Sequence, residues 1–165
     1  MTGKELSRFK AIKKVSVIGL GYIGLPTMVA IAKTGKYQVV GFDINQEKID
    51  QIQKGKSPIE DPDVVKYLKE NKANVSADPE VMKDSEVFII CVPTPVLNDY
   101  TPDYAPVISA TETVADYLKS GSHYVLESTV NPGTCEEVVL PILEEKTGLK
   151  VEKDFNLSDC PERVN

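Results

Sequence analysis

The sequence predicts an α/β fold: a doubly wound, mostly parallel six-stranded sheet with helices on both faces. Three observations carry this prediction. Strand-like and helix-like segments alternate along the chain, the order that lays crossover helices over a parallel sheet. The strand-like segments are short and β-branched, the strongest of them apolar almost throughout, as burial on both faces requires. The chain has 165 residues, 41% hydrophobic and 27% charged. That suffices for one domain with its own core and excludes wholesale disorder.

The elements follow in order. Lys14 to Gly19 reads as the first strand, and a helix follows from about Tyr22 to Thr34, stopped by Gly35 with Lys33 and Lys36 at its carboxyl end. Gln38 to Asp43 is the second strand, and Asn45 to Gln53 the next helix, with Asn45 placed to cap it. Loop chemistry fills Lys54 to Pro62, a helix spans Asp63 to Asn71, a brief strand spans Asn74 to Ala77, and Asp78-Pro79 opens another helix. Glu86 to Val92 is the strongest buried-strand run. A long loop from Pro93 to Pro106, stiffened by Pro95 and Pro102, leads to a helix over 106–119. His123 to Glu127 is the fifth strand, Asn131-Pro132-Gly133 starts a further helix, and Phe155 to Asp159 is the sixth strand. Residues 12–165 thus form one domain, preceded by a basic arm over 1–11 that is expected to be flexible.

Charge and cysteine spacing narrow the function classes. Lys and Arg total 19 against 25 Asp and Glu, a net charge of −6, which gives no global field for nucleic acid or an acidic membrane. Residues 1–14 carry a local +4, which reads as a solvated arm or, as the alternative, a weak phosphate or membrane contact. No apolar run approaches the ~20 residues of a membrane span, and the start lacks a signal-peptide core, so a soluble cytoplasmic protein is expected. Cys91, Cys135 and Cys160, separated by 44 and 25 residues, fit neither a disulfide framework nor a CxxC motif. They read as reduced thiols, and no metal site is expected.

Gly19-Leu20-Gly21-Tyr22-Ile23-Gly24 matches GxGxxG directly after an apolar strand and at the opening of a helix, the context a dinucleotide fingerprint requires. Gly19 permits the tight turn, Gly21 lets the backbone approach a pyrophosphate, and Gly24 lets the helix pack closely on the strand. The N–H groups around Gly21, Tyr22 and Ile23, with the helix dipole, then form an anion site. Asp43 lies nineteen residues past Gly24 at the end of the second strand, where a carboxylate accepts from ribose hydroxyls and repels a 2′-phosphate. NAD is therefore expected over NADP. Lys48, one helical turn further on, either reaches the same ribose or is a solvated surface lysine.

Ligands of such a sheet sit beyond the carboxyl ends of the strands. After the fourth strand, Pro93 and Pro95 leave Thr94 as the polar group facing the cleft; after the fifth, Thr129 offers a hydroxyl that reads equally as a helix N-cap. The helix near Pro132 offers a second positive N-terminus. Cys91 reads as a small core residue, Cys135 as helix-surface filler and His123 as structural.

Five segments in order, VSVIGLGYIGLPTMVAIAK, VVGFDINQEKID, FIICVPTP, ESTVNPGT and CPERVN, resemble the UDP-glucose/GDP-mannose dehydrogenase family over roughly residues 12–165. CVPTP and CPERVN look more like its UDP-N-acetylhexosamine branch, such as enzymes acting on UDP-N-acetylmannosamine; UDP-glucose dehydrogenases tend to read SPEFL at the latter position. The resemblance implies a Rossmann-type fold and a four-electron oxidation of a UDP-sugar at C6, alcohol to carboxylate, consuming two NAD. It implies NAD contacts from Tyr22, Ile23, Asp43, Lys48, Thr94 and Thr129. It further implies a catalytic role for Glu162, with Thr129 positioning a water, and sugar-nucleotide contacts from Arg163 and Val164. Family members are more than twice this length, commonly dimerise, and carry their nucleophilic cysteine later in the chain. This chain alone is thus expected to bind NAD without completing the oxidation. UDP-glucose or GDP-mannose oxidation, and a standalone NAD-binding module without chemistry, remain the alternatives.

Overall fold

Strands covered on both faces must be apolar on both, and β1 (Lys14–Ile18) is: Val15, Val17 and Ile18 are each at most 4% exposed. The computed structural model describes residues 12–161; the basic arm over 1–11 lies outside them. After β1 come α1 (Gly24–Lys33), β2 (Gln38–Phe42), α2 (Gln46–Gln53), α3 (Pro62–Glu70) and β3 (Val75–Ser76). A single 3-10 turn (Pro79–Met82) leads to β4 (Val87–Ile90), followed by α4 (Ala105–Ala115), β5 (His123–Leu126), a π-turn segment (Cys135–Val139), α5 (Leu140–Thr147) and β6 (Asn156–Asp159).

The sheet order is β3-β2-β1-β4-β5-β6, and among the described residues every strand pairing in it is parallel. The chain builds outward from β1 to β3, then crosses back to place β4 on the other side of β1. Between β1 and β4 the strand order reverses, and there the loops diverge to open a crevice.

Alternate side chains supply two cores. Val17 and Val39 pack with Leu25, Met28, Ile49, Ile52, Val64 and Leu68 of α1, α2 and α3. Ile18, Phe88, Ile90, Tyr124 and Leu126 pack with Val107 and Val114 of α4 and with Val139 and Leu143. Each fully buried large side chain contributes about 1.5–3 kcal/mol. Gly41 is as much part of this packing as its neighbours. A Cβ there would lie 2.8–2.9 Å from the side-chain ends of Leu20 and Met28, which would have to shift to admit it. Buried polar groups are paired: Ser16 with Ser85 at 2.7 Å, and Tyr124 with Thr111 at 2.7 Å.

Local chemistry moved several boundaries. Asp78 caps its segment by accepting from the Glu80 N–H, but only one 3-10 turn follows. The helix expected to start at Asn131-Pro132-Gly133 begins at Thr134, because Gly133 has φ +91°, outside the right-handed helical region. Its first stretch is a π-turn, with the Leu140 N–H reaching the Cys135 carbonyl. Pro141 accounts for this: it has no N–H for the Glu137 carbonyl and its ring crowds that group, and a wider turn relieves both. Cys135, read as surface filler, is 7% exposed within the second core. Burial pushes its thiol up to about 11, with Asp159 and Glu136 adding to the effect.

Candidate functional site

The turn after β1 is shaped by three glycines with different reasons for being glycine. Gly19 has φ +88°, and a Cβ there would stand 2.7 Å from the Cys91 carbonyl oxygen. A Cβ on Gly24 would lie 1.9 Å from the Gly19 carbonyl oxygen and 3.0 Å from the Cys91 Cβ. Gly21 differs: a Cβ there would meet no protein atom within 4 Å. Protein packing therefore gives no reason for glycine at 21, whereas close approach of a ligand does.

The helix begins at Gly24, two residues later than expected, with the Gly21 and Ile23 carbonyls accepting from the Leu25 and Thr27 N–H groups. The N–H groups of Gly21, Tyr22 and Ile23 have no acceptor among the described residues. They are the orphan donors of a helix start, a place where an anion can be held.

Asp43 follows β2 and is 7% exposed. Its Oδ2 accepts from the Leu20 N–H at 2.8 Å and from Lys48 Nζ at 2.5 Å, and its Oδ1 from the Asn45 N–H at 2.9 Å. A carboxylate offers about four acceptor positions, so one remains on Oδ1. Lys48 is half-buried and ion-paired rather than a solvated surface lysine: α2, capped by the Asn45 side chain on the Lys48 N–H at 3.1 Å, aims it back at Asp43.

The loops after β4 and β5 form the opposite wall. The Thr94 hydroxyl donates to the Thr129 carbonyl at 2.6 Å, and the Ser128 hydroxyl to the Val92 carbonyl at 2.7 Å. Thr129 caps no helix, since the helix starts five residues later; its side chain is exposed at the cleft. The Tyr104 hydroxyl steadies the following turn, accepting from the Asn131 N–H at 3.3 Å and lying 3.2 Å from the Thr134 hydroxyl.

Gly19, Gly21, Tyr22, Ile23, Asp43, Lys48, Thr94 and Thr129 thus line one cleft of about 350 Å³, with Gly24 buried beneath it. Glu162, Arg163 and Val164 lie outside the described residues. The cleft also holds a carboxylate that sequence reasoning passed over. Glu127 lines it, and its Oε2 accepts from the Cys91 thiol at 3.0 Å and the Thr27 hydroxyl at 3.4 Å. Cys91 is buried, as expected of a core residue, but its thiol belongs to this wall. A strand-end position was the available signal for Glu127. An adjoining hollow of about 420 Å³, walled by Phe42, Ile44, Pro106 and Ala110, had none, because its two walls are far apart in sequence. Among the described residues no cluster of three or more His, Cys, Asp or Glu side chains suits a metal ion, and no helix is long and apolar enough to cross a membrane.

Orphan N–H donors, an unhindered Gly21 and a buried acid beyond β2 form a set that fits a dinucleotide. The sequence profile of the UDP-glucose/GDP-mannose dehydrogenase family, NAD binding domain, matches residues 13–165. The chain belongs to that family. Its cofactor is NAD. Among curated relatives, UDP-N-acetyl-D-mannosamine dehydrogenase of Pyrococcus horikoshii is 43% identical over 155 residues, 92% of this chain and 36% of the relative. UDP-N-acetyl-D-glucosamine 6-dehydrogenase of Pseudomonas aeruginosa is 38% identical over 152 residues, again 92% of this chain and 36% of the relative. The solved UDP-D-ManNAc dehydrogenase of Pyrococcus horikoshii superposes with a TM-score of 0.86 at 42% identity, over 92% of this chain and 37% of that one. The chain therefore spans about 36% of the length of the curated relatives it matches.

Proposed function

We propose that this NAD binding domain serves a nucleotide-sugar 6-dehydrogenase whose substrate is a UDP-N-acetylhexosamine, UDP-N-acetylmannosamine first. The reaction takes the C6 alcohol to a carboxylate, with one water consumed and two NAD each accepting a hydride. The observation that carries the NAD site is the combination of three orphan N–H groups with Asp43 beside them on the same side of the cleft. The N–H groups of Gly21, Tyr22 and Ile23 take the pyrophosphate, and Asp43 takes the adenosine ribose, its geometry fixed by Lys48 and the Leu20 and Asn45 N–H groups. The apolar hollow beside Asp43, between Ile44 and Pro106, suits the adenine ring. Thr94 and Thr129 face the nicotinamide end.

The sugar class rests on the names of the relatives above and on the CVPTP and CPERVN segments. By the same resemblance Glu162 serves catalysis, Thr129 helps place a water, and Arg163 and Val164 touch the nucleotide sugar. NAD and nucleotide sugars are cytoplasmic reactants, so we place the protein in the cytoplasm. The test is turnover by the product of the complete reading frame. With UDP-N-acetylmannosamine, UDP-N-acetylglucosamine, UDP-glucose and GDP-mannose offered separately, the first gives the highest kcat/KM and two NADH per sugar. Preference for UDP-glucose or GDP-mannose overturns the sugar assignment, and a frame ending near residue 165 with NAD binding alone favours a module without chemistry.

A further inference from the structure

We propose that Glu127 is a positioning residue for the nicotinamide half of NAD: its carboxylate accepts from the carboxamide N–H₂ and biases the site toward the oxidised cofactor. The inference rests on the NAD reading of the cleft given above. The cleft holds two carboxylates, on opposite walls. Asp43 follows β2 and Glu127 follows β5, and the order β2-β1-β4-β5 puts three strand spacings, roughly 14 Å, between their backbones, with the Glu127 carboxylate reaching back to Cys91 and Thr27. The orphan N–H groups follow β1, one strand from Asp43 and two from Glu127.

A dinucleotide laid across that order with its adenosine at Asp43 and its pyrophosphate on the N–H groups has only its nicotinamide half left for the β5 side. A carboxylate donates nothing and repels phosphate, so Glu127 can serve only a donor or a cation. The nicotinamide half supplies both: the carboxamide N–H₂, and a ring that is cationic in NAD⁺ and neutral in NADH. Glu127 is held ready for this. Cys91 at the end of β4 and Thr27 on α1 both donate to Oε2, while Oε1 takes no hydrogen bond from any described residue. A residue that merely braced Cys91 and Thr27 would treat the two redox forms of the cofactor alike.

The test uses the present chain and titrates NAD⁺, NADH and the 3-acetylpyridine analogue of NAD⁺, which lacks the N–H₂. Glu127→Gln keeps an acceptor and removes the charge; Glu127→Ala removes both; Glu136→Gln on the exposed helix surface makes the same change in net charge elsewhere. Glu127→Gln weakens NAD⁺ about tenfold while NADH binding changes little, as loss of one nearby charge predicts. The parent's preference for NAD⁺ over the analogue survives in Glu127→Gln and disappears in Glu127→Ala. Glu136→Gln leaves all three affinities unchanged. Equal weakening of NAD⁺ and NADH by the Glu127 variants, or unchanged affinities, overturns the proposal. A parent chain that binds neither NAD⁺ nor NADH instead overturns the reading of the cleft on which it rests.

Discussion

The Thr94 hydroxyl donates to the backbone carbonyl of Thr129 at 2.6 Å, joining two loops that are 35 residues apart in sequence. With Ser128 bonded to the Val92 carbonyl at 2.7 Å, this makes the β4 and β5 loops one wall of the cleft. Thr94→Val keeps the shape and removes the bond. It is expected to cost about 1 kcal/mol of stability and to weaken NAD several-fold, read by thermal melting and calorimetric titration. Unchanged NAD affinity would show that the wall does not depend on this bond.

Asp43 draws its position from three donors, and its free acceptor position is the one proposed for the adenosine ribose. Asp43→Asn is expected to weaken NAD by about 1.5–3 kcal/mol, on the order of ten- to a hundredfold in Kd, and to improve NADP binding relative to NAD, because the charge that repels a 2′-phosphate is gone. Lys48→Met removes one of the three donors and acts in the same direction by less. Titration of both variants with both cofactors checks this, and equal NAD and NADP affinity in the parent contradicts the assignment.

Gly24 has no room for a side chain: its Cβ would stand 1.9 Å from the Gly19 carbonyl oxygen, a backbone atom that cannot swing aside. Gly24→Ala is expected to destabilise the domain by about 3 kcal/mol or to prevent folding, because α1 must lift from the sheet. Denaturant melts measure it, and a loss under about 0.5 kcal/mol would mean that the turn is looser than described.

Burial pushes the Cys135 thiol up to about 11 from an ordinary 9.0, because it disfavours the thiolate. The folded state thus binds the proton more tightly than the unfolded state. The stability this contributes is full below pH 9 and is lost as pH rises toward 11. Cys135→Ala should melt with a shallower decline across that window than the parent. Thiol labelling at pH 8 should find exposed Cys160 at once and Cys135 only on unfolding. Equal labelling rates would contradict the burial of Cys135.

The strand alternation, the glycine turn, Asp43 and the Asn45 cap were legible because each depends on residues a few positions apart. The cap needs only Asn45 and the Lys48 N–H, and Asp43 only its place at the end of β2. Features made by distant residues were not legible. The bond from Cys91 to Glu127 spans 36 residues, and Cys135 is buried because α4 packs against its turn, a contact its own neighbours do not announce. The helix start at Thr134 falls between these cases. Pro132 and Gly133 pointed to a helix start, but the φ of Gly133 delays it to Thr134, and Pro141, seven residues further on, follows a π-turn.

The central claim, that dinucleotide phosphate lies against the turn after β1, is tested most directly by calorimetric titration of Gly21→Ala with NAD, beside its thermal melt. No protein atom stands within 4 Å of the added methyl group, so the variant should melt within about 2 °C of the parent, a change under roughly 0.5 kcal/mol. Its NAD binding should fall at least tenfold, because the methyl group takes the pyrophosphate's place. A variant that melts with the parent and binds NAD as tightly would contradict the account.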